Sequence, residues 1–292
     1  MSVNVTTHFV QQYSTNVGLL LQQKGSKLRN AVMVGSYTGK AAKAVEQVGP
    51  VTARRRTSRH ADTPLISTPA DARWVYPYDY EWADLIDDQD KLRMLIDPQS
   101  AYAQNGAYAM GRAMDDEIIS AFFGTAKTGE DGSTSTNFPA GNQVAVNFGS
   151  ASNVGLTVSK LREAKRLLMS AEVDIDNDPL FCVVTSGEHD DMLNEVQATS
   201  LDYNTRPTLV DGKITAFMGF NFIHCERLAL DGSSYRRVPV FAKSGMHLGI
   251  WNDITTSIDR RADKSNAMQV YCKVTCGATR LEEGKVIEIK CA

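Results

Sequence analysis

The segment EQVGPVTARRRTSRHADTPLISTPADARWVYPYDYEW, residues 46–82, limits the fold more than any other part of the chain. From Pro50 to Ala72 its large aliphatic residues are Val51, Leu65 and Ile66 alone, so those 23 residues cannot build a core. Pro50, Pro64, Pro69 and Pro77 forbid a long helix, and HADTP marks a turn. The β-branched and aromatic flanks favour an ordered two-armed hairpin, with about 17 residues per arm and a reach of about 55 Å. A compact chain of 292 residues has a radius of gyration near ~19 Å. The segment therefore projects beyond its own body, and long polar loops that stay ordered usually serve a function.

Charge is unevenly distributed. Residues 1–60 hold nine basic side chains against Glu46 alone, a net of +8; with −3 overall, the other 232 residues carry −11. A basic end on an acidic body is suited to docking on something negative, either nucleic acid or another copy of the body. No apolar run approaches the roughly 20 residues of a membrane span, and GLLLQQ is too short for a signal-peptide core, so a cytosolic protein is expected. Cys182, Cys225, Cys272, Cys276 and Cys291 are odd in number and lie in apolar segments, which fits buried thiols rather than a disulfide framework or a metal site.

Motifs that imitate catalytic or ligand chemistry fail on spacing. GSYTGK has three residues between its glycines and Ala41 where a phosphate loop needs a hydroxyl. DIDNDP offers Asp174, Asp176 and Asp178, but Pro179 stands where a calcium loop needs glycine and Thr185 where it needs a glutamate. His189 beside Asp190 has no placed nucleophile. His224 and His247 sit singly in apolar strands, where a hydrogen-bonded core histidine is expected. No pattern calls for a catalytic residue, cofactor or metal.

The clearest helix is DPQSAYAQNGAYAMGRAMDDEIISAFFG, with Asp97 as N-cap, Pro98 at the first helical position and Gly124 as the stop. Ala103, Ala107, Met110, Met114, Ile118 and Phe122 form its apolar stripe, and helix over 98–123 would span about 39 Å. Asp115, Asp116 and Glu117 are consecutive and splay around the axis, which fits a solvated face or ion pairing between subunits. An α/β region follows: TVSKLREAKRLLMSAEV as a helix capped by Thr157, PLFCVVTS as a buried strand, and a helix starting at Ser186. The end is strand-rich, with RRADKSNA as the turn of a long hairpin.

Arm, projecting loop, strut helix, α/β insert and returning hairpin, in this order, resemble the major capsid proteins of tailed bacteriophages, the Hong Kong 97 fold family. The resemblance covers nearly the whole chain. It rests on RHADTPLIS, the strut helix, ITAFMGFNFIHCERL and the closing NAMQVYCKVTCGATRLEEGKVIEIKC. It implies an α+β fold with an N-terminal arm at 1–38, an extended loop at 39–82, a peripheral domain at 83–156 and 253–292 with spine helix 98–123, and an α/β axial domain at 157–252. GSYTGKAAKAV becomes the entry from arm to loop, its glycines serving backbone bending.

The implied function is a non-enzymatic shell protein that self-associates as hexamers and pentamers into an icosahedral capsid around double-stranded DNA. It would assemble in the host cytoplasm and reside in the virion, without membrane contact. A portal is an expected partner. With 97 residues before the strut, mostly arm and loop, any scaffolding protein is expected to be separate. No Lys occurs between residues 44 and 90, which argues against covalent cross-linking through the loop. Arg54, Arg55, Arg56 and Arg59 are the candidate contact residues, with Asp84, Asp87, Asp88, Asp90, Asp115, Asp116 and Glu117 as candidate acceptors on a neighbour. An encapsulin-type compartment shell is the alternative of the same fold. An α/β hydrolase or nucleotide enzyme is the rival from another class, and it lacks its motifs.

Overall fold

A computed structural model describes residues 21–59, 65, 67–86, 99–195, 209–210 and 213–292. In chain order the strands are β1 (Met33–Ser36), β2 (Ala42–Val48), β3 (Ala70–Val75) and β4 (Tyr78–Ile86), followed by helix α1 (Gln99–Phe123). The middle adds β5 (Ala126–Thr128), β6 (Thr134–Thr136), β7 (Gln143–Val144), α2 (Val158–Ser170), β8 (Leu180–Val184) and α3 (Ser186–Asn194). Last come β9 (Leu209–Val210), β10 (Lys213–Ile214), β11 (Ala216–Phe217), β12 (Phe220–His224), β13 (Arg236–Ala242), β14 (Met246–Arg261), β15 (Ala267–Arg280) and β16 (Val286–Cys291).

Alternation on β15 places Val270, Cys272, Val274 and Cys276 on one face, all fully buried. Helix α1 lies across that face and buries Met110, Met114, Ile118 and Phe122. Burial of side chains of this size contributes about 1.5–3 kcal/mol each. The sheet runs β1-β14-β15-β4, with β1 parallel to β14 and the other pairs antiparallel. The β14–β15 hairpin closes at 262–266, where Ser265 and Asn266 take positive φ of 51° and 59°. The expected polar turn is thus in place. Asp97 and Pro98, the expected start of α1, lie outside the described residues.

A six-stranded mixed sheet, β11-β12-β8-β13-β16-β7, forms the second body. Val238 and Val240 of β13 and Ile287 and Ile289 of β16 are buried where the two strands pair. This redraws the expected domain limits. β16 is the end of the chain, yet it joins the sheet of the 157–252 segment, and the limit at 252/253 falls inside β14. Thr157 accepts a hydrogen bond from the Lys160 amide at the start of α2. A capping box between Thr185 and Glu188 starts α3 at Ser186.

The third sheet, β2-β3-β5-β6, carries the projecting segment. The pairing of β2 with β3 runs from Ala42↔Val75 to Val48↔Ala70, and a last backbone bond joins Gly49 N–H to the Pro69 carbonyl at 2.7 Å. Among the described residues the arms are therefore paired over six or seven residues rather than 17. Pro50, Pro64 and Pro69 have no N–H to give a ladder, and the residues between them bring little to bury. Residues 78–82, expected in the loop, belong instead to β4.

Candidate subunit interface

Residues 51–59 are all exposed, so the Arg54, Arg55, Arg56 and Arg59 guanidiniums stand clear of their own body. Arg56 donates from Nε to the Ser58 carbonyl at 2.8 Å, and these four side chains form no ion pair among the described residues. The base of the segment is held firmly. Arg73 on β3 makes a two-pronged bond to Glu283, at 2.8 and 2.7 Å, and Gln47 on β2 donates to the Leu281 carbonyl at 2.8 Å. Glu283 also lies 3.7 Å from Arg280 Nε.

Arg280 is fully buried and donates to the carbonyls of Phe122 at 2.8 Å and Gly124 at 3.0 Å, so it caps the C-terminal end of α1, where the helix dipole favours a cation. Burial lowers its pKa, an effect that Glu283 opposes. One carboxylate therefore joins the loop base to the end of the longest helix. Nothing in the sequence singles out this pair of arginines, because 210 positions separate Arg73 from Glu283.

The candidate acceptors separate into three groups. Asp115 is fully buried and accepts from Gln23 Nε2 at 2.5 Å, Ser26 Oγ at 2.6 Å and the Lys27 and Leu28 amides at 3.0 and 3.1 Å. It fastens the chain around residues 23–28 to α1 and is closed to any neighbour, which corrects its expected place on a solvated or subunit-facing surface. Asp116 pairs with Arg227, its Oδ1 accepting at 2.6 Å, and Glu117 accepts from the Tyr80 hydroxyl, whose pKa is raised first by burial and then by that bond. Both are engaged within their own chain. Asp84, half-buried on β4, accepts from the Leu85 amide at 2.8 Å. Asp87, Asp88 and Asp90 lie outside the described residues.

The solvent face of β4 holds two further exposed acids, Asp79 and Glu81. Asp79 accepts from Thr275 at 2.6 Å through Oδ1, and Glu81 from Tyr271 at 2.9 Å through Oε2. The signal for them is the alternation in the run YDYEWAD, residues 78–84, which puts Asp79 and Glu81 on one face.

Part of the basic end turns inward. Lys27 donates to the His224 carbonyl at 2.8 Å, and Arg29 pairs with Asp253 at 2.7 Å. In GSYTGK, Gly39 has φ of +96°, as a bend requires, whereas Gly35 is needed for space: a Cβ there would lie 2.8 Å from the Tyr37 hydroxyl and 2.9 Å from His247. His247 is buried and bonded to that hydroxyl at 2.8 Å, as a core histidine should be. His224, the last residue of β12, is half-exposed and paired with Glu226 at 2.6 Å, contrary to the expectation of a core histidine. His189 Nε2 accepts from the Ile214 amide at 3.3 Å. All five cysteines are free and buried, and burial pushes the Cys276 and Cys291 thiols to about 12.

Helix across sheet, a second mixed sheet and an anchored projecting loop define the class of chain seen in phage capsid shells. The capsid structure of cyanophage P-SCSP1u superposes with a TM-score of 0.72 at 17% identity, covering 100% of this chain and 95% of that one. Mycobacterium phage Che8 gives 0.68 at 15%, covering 96% and 97%, and the capsid of the native GTA particle 0.68 at 14%, covering 97% and 95%. No curated protein matches in sequence. The profile of the family described as phage capsid protein matches residues 5–292, and the chain belongs to that family. It is a capsid protein, a structural part of a virion, and the compartment-shell alternative is not favoured.

Proposed function

We propose that this chain is the major capsid subunit of a tailed phage with Hong Kong 97-type organisation, with α1 as spine helix and residues 49–69 as the extended loop. Copies gather as hexamers and pentamers and close an icosahedral shell in the host cytoplasm. Double-stranded DNA fills the lumen, with a portal and a separate scaffolding protein as partners. The observation that carries this reading is the family match over residues 5–292, and a basic loop left exposed by the described residues of its own chain supports it. Arg54, Arg55, Arg56 and Arg59 contact acids of a neighbouring subunit, which leaves Asp84, and beyond it Asp87, Asp88 and Asp90, among the acceptors expected from sequence. An exposed pair contributes only about 0–1 kcal/mol, but repetition at every subunit makes the sum matter.

Size-exclusion chromatography and negative-stain microscopy of the protein, alone at high concentration and with its scaffold, should show capsomers or closed shells. A compact monomer under all of these conditions would contradict the proposal.

A further inference from the structure

β4 is the outer strand of its sheet, with only β15 beside it among the described residues. Its other edge presents a nine-residue row of backbone groups, Tyr78 to Ile86, open to another strand. Such an edge invites strand addition, in which main-chain bonds hold the partner and alternate side chains select it. Residues 51–57 belong to no helix or strand, are exposed and pair with no strand among the described residues, and no proline between 51 and 63 removes a donor.

Three arginines of that segment and three acids of β4 share one spacing. Arg54, Arg56 and Arg59 are separated by two and three residues, and so are Asp79, Glu81 and Asp84. In a parallel pair a single register, 54 opposite 79, therefore matches all three at once. No antiparallel register matches more than two: Arg54 with Glu81 and Arg56 with Asp79 sets Arg59 opposite Tyr76, Arg54 with Asp84 and Arg59 with Asp79 sets Arg56 opposite Trp82, and Arg56 with Asp84 and Arg59 with Glu81 sets Arg54 opposite Ile86. Parity agrees as well. Arg54 and Arg56 fall on the solvent face beside Asp79 and Glu81, while Arg59 falls with Asp84 on the other.

Each acid keeps an oxygen for the task. Asp79 uses Oδ1 for Thr275, Glu81 uses Oε2 for Tyr271 and Asp84 uses Oδ1 for the Leu85 amide. Asp79 Oδ2, Glu81 Oε1 and Asp84 Oδ2 carry no bond to a described residue. Arg55 would lie opposite Tyr80, on the face where Tyr80 meets Glu117.

We propose that residues 53–59 of one copy add in parallel to the free edge of β4 in a second copy, in the register 54 with 79, 56 with 81 and 59 with 84. The bend at Ser58 straightens in the process. This rests on the shell reading, and it makes the edge of β4, rather than the acids of α1, the surface that receives the loop.

The test co-assembles two differently tagged full-length chains, one carrying Arg54→Cys and the other Asp79→Cys, and oxidises the shells. A disulfide-linked heterodimer is expected, and likewise from Arg59→Cys with Asp84→Cys. Arg54→Cys with Asp84→Cys should give about tenfold less, because five residues of offset, about 17 Å, exceed the reach of a disulfide. Shells that form but cross-link equally in all pairings, or only in the mismatched one, would overturn the register while leaving the shell function standing. Failure of the unaltered chain to form shells would instead count against the function itself.

If the cysteine chains do not assemble, charge exchange decides. Arg54→Asp with Arg56→Glu, and Asp79→Arg with Glu81→Arg, should each abolish shells, and all four together should restore them to within about twofold of the original yield. No restoration would reject the contact.

Discussion

His247 illustrates how one side chain can make the whole fold sensitive to acid. It is buried between β1 and the Tyr37 ring, bonded through Nε2 to the Tyr37 hydroxyl, and its Nδ1 has no partner among the described residues. Burial lowers its pKa below the ordinary 6.5, so the folded chain resists a proton that the unfolded chain accepts. The unfolded state then binds more protons as pH falls through about 6.5, and stability declines from there downward by at most about 1.4 kcal/mol per pH unit for this group. Above that pH its contribution is complete. Urea unfolding of the unassembled subunit at pH 7.5 and 5.5 should show the loss, and His247→Gln should reduce the difference. An equal difference in the variant would assign it to other groups.

At the scale of elements, α1 shows how a helix accepts glycine for the sake of a neighbour. A Cβ on Gly111 would lie 2.6 Å from the backbone of Gly25 and Ser26, the stretch that Asp115 fastens. Alanine would favour the isolated helix by about 1 kcal/mol. It would also push that backbone away, at a cost of about 1–3 kcal/mol for overpacking. Gly111→Ala should therefore destabilise the subunit in a denaturant titration and speed proteolysis near residues 23–28; a stabilised variant would show that the segment moves aside freely.

The course of α1, its stop before Gly124, the β14–β15 turn and the Thr157 cap could all be read from the sequence, since each depends on residues close together in the chain. The role of Asp115 could not. Three adjacent acids look alike until the fold sets residues 23–28 against one, Arg227 against the next and Tyr80 against the third. The same holds for β16, whose apolar run identifies a buried strand but not the sheet that receives it. The length of the loop arms was overestimated because flanking β-formers were extended across prolines that cannot continue a ladder.

For the whole molecule, the assembled shell should hold by non-covalent contacts. No lysine lies between residues 44 and 90 to form a bond through the loop, and the described cysteines are buried and unpaired. Shells boiled in denaturing detergent should run as one band at 32.0 kDa. A ladder of multiples would refute this. Exposed ion pairs are screened beyond about 8 Å at physiological ionic strength, so raising salt should loosen the shell in step with charge removal at the loop.

Glu283 is the pivot of a lever. The Arg73 guanidinium grips it from the loop side, and Arg280, which closes the end of α1, stands on the other. A load on the loop root is shared by this carboxylate, the Gln47–Leu281 bond and the pairing of β3 with β5, and through Glu283 part of it reaches the end of α1. Where a tip rests on a neighbour, as proposed, a tilt of one subunit would load the loop root of the next and, through Glu283, the end of its strut.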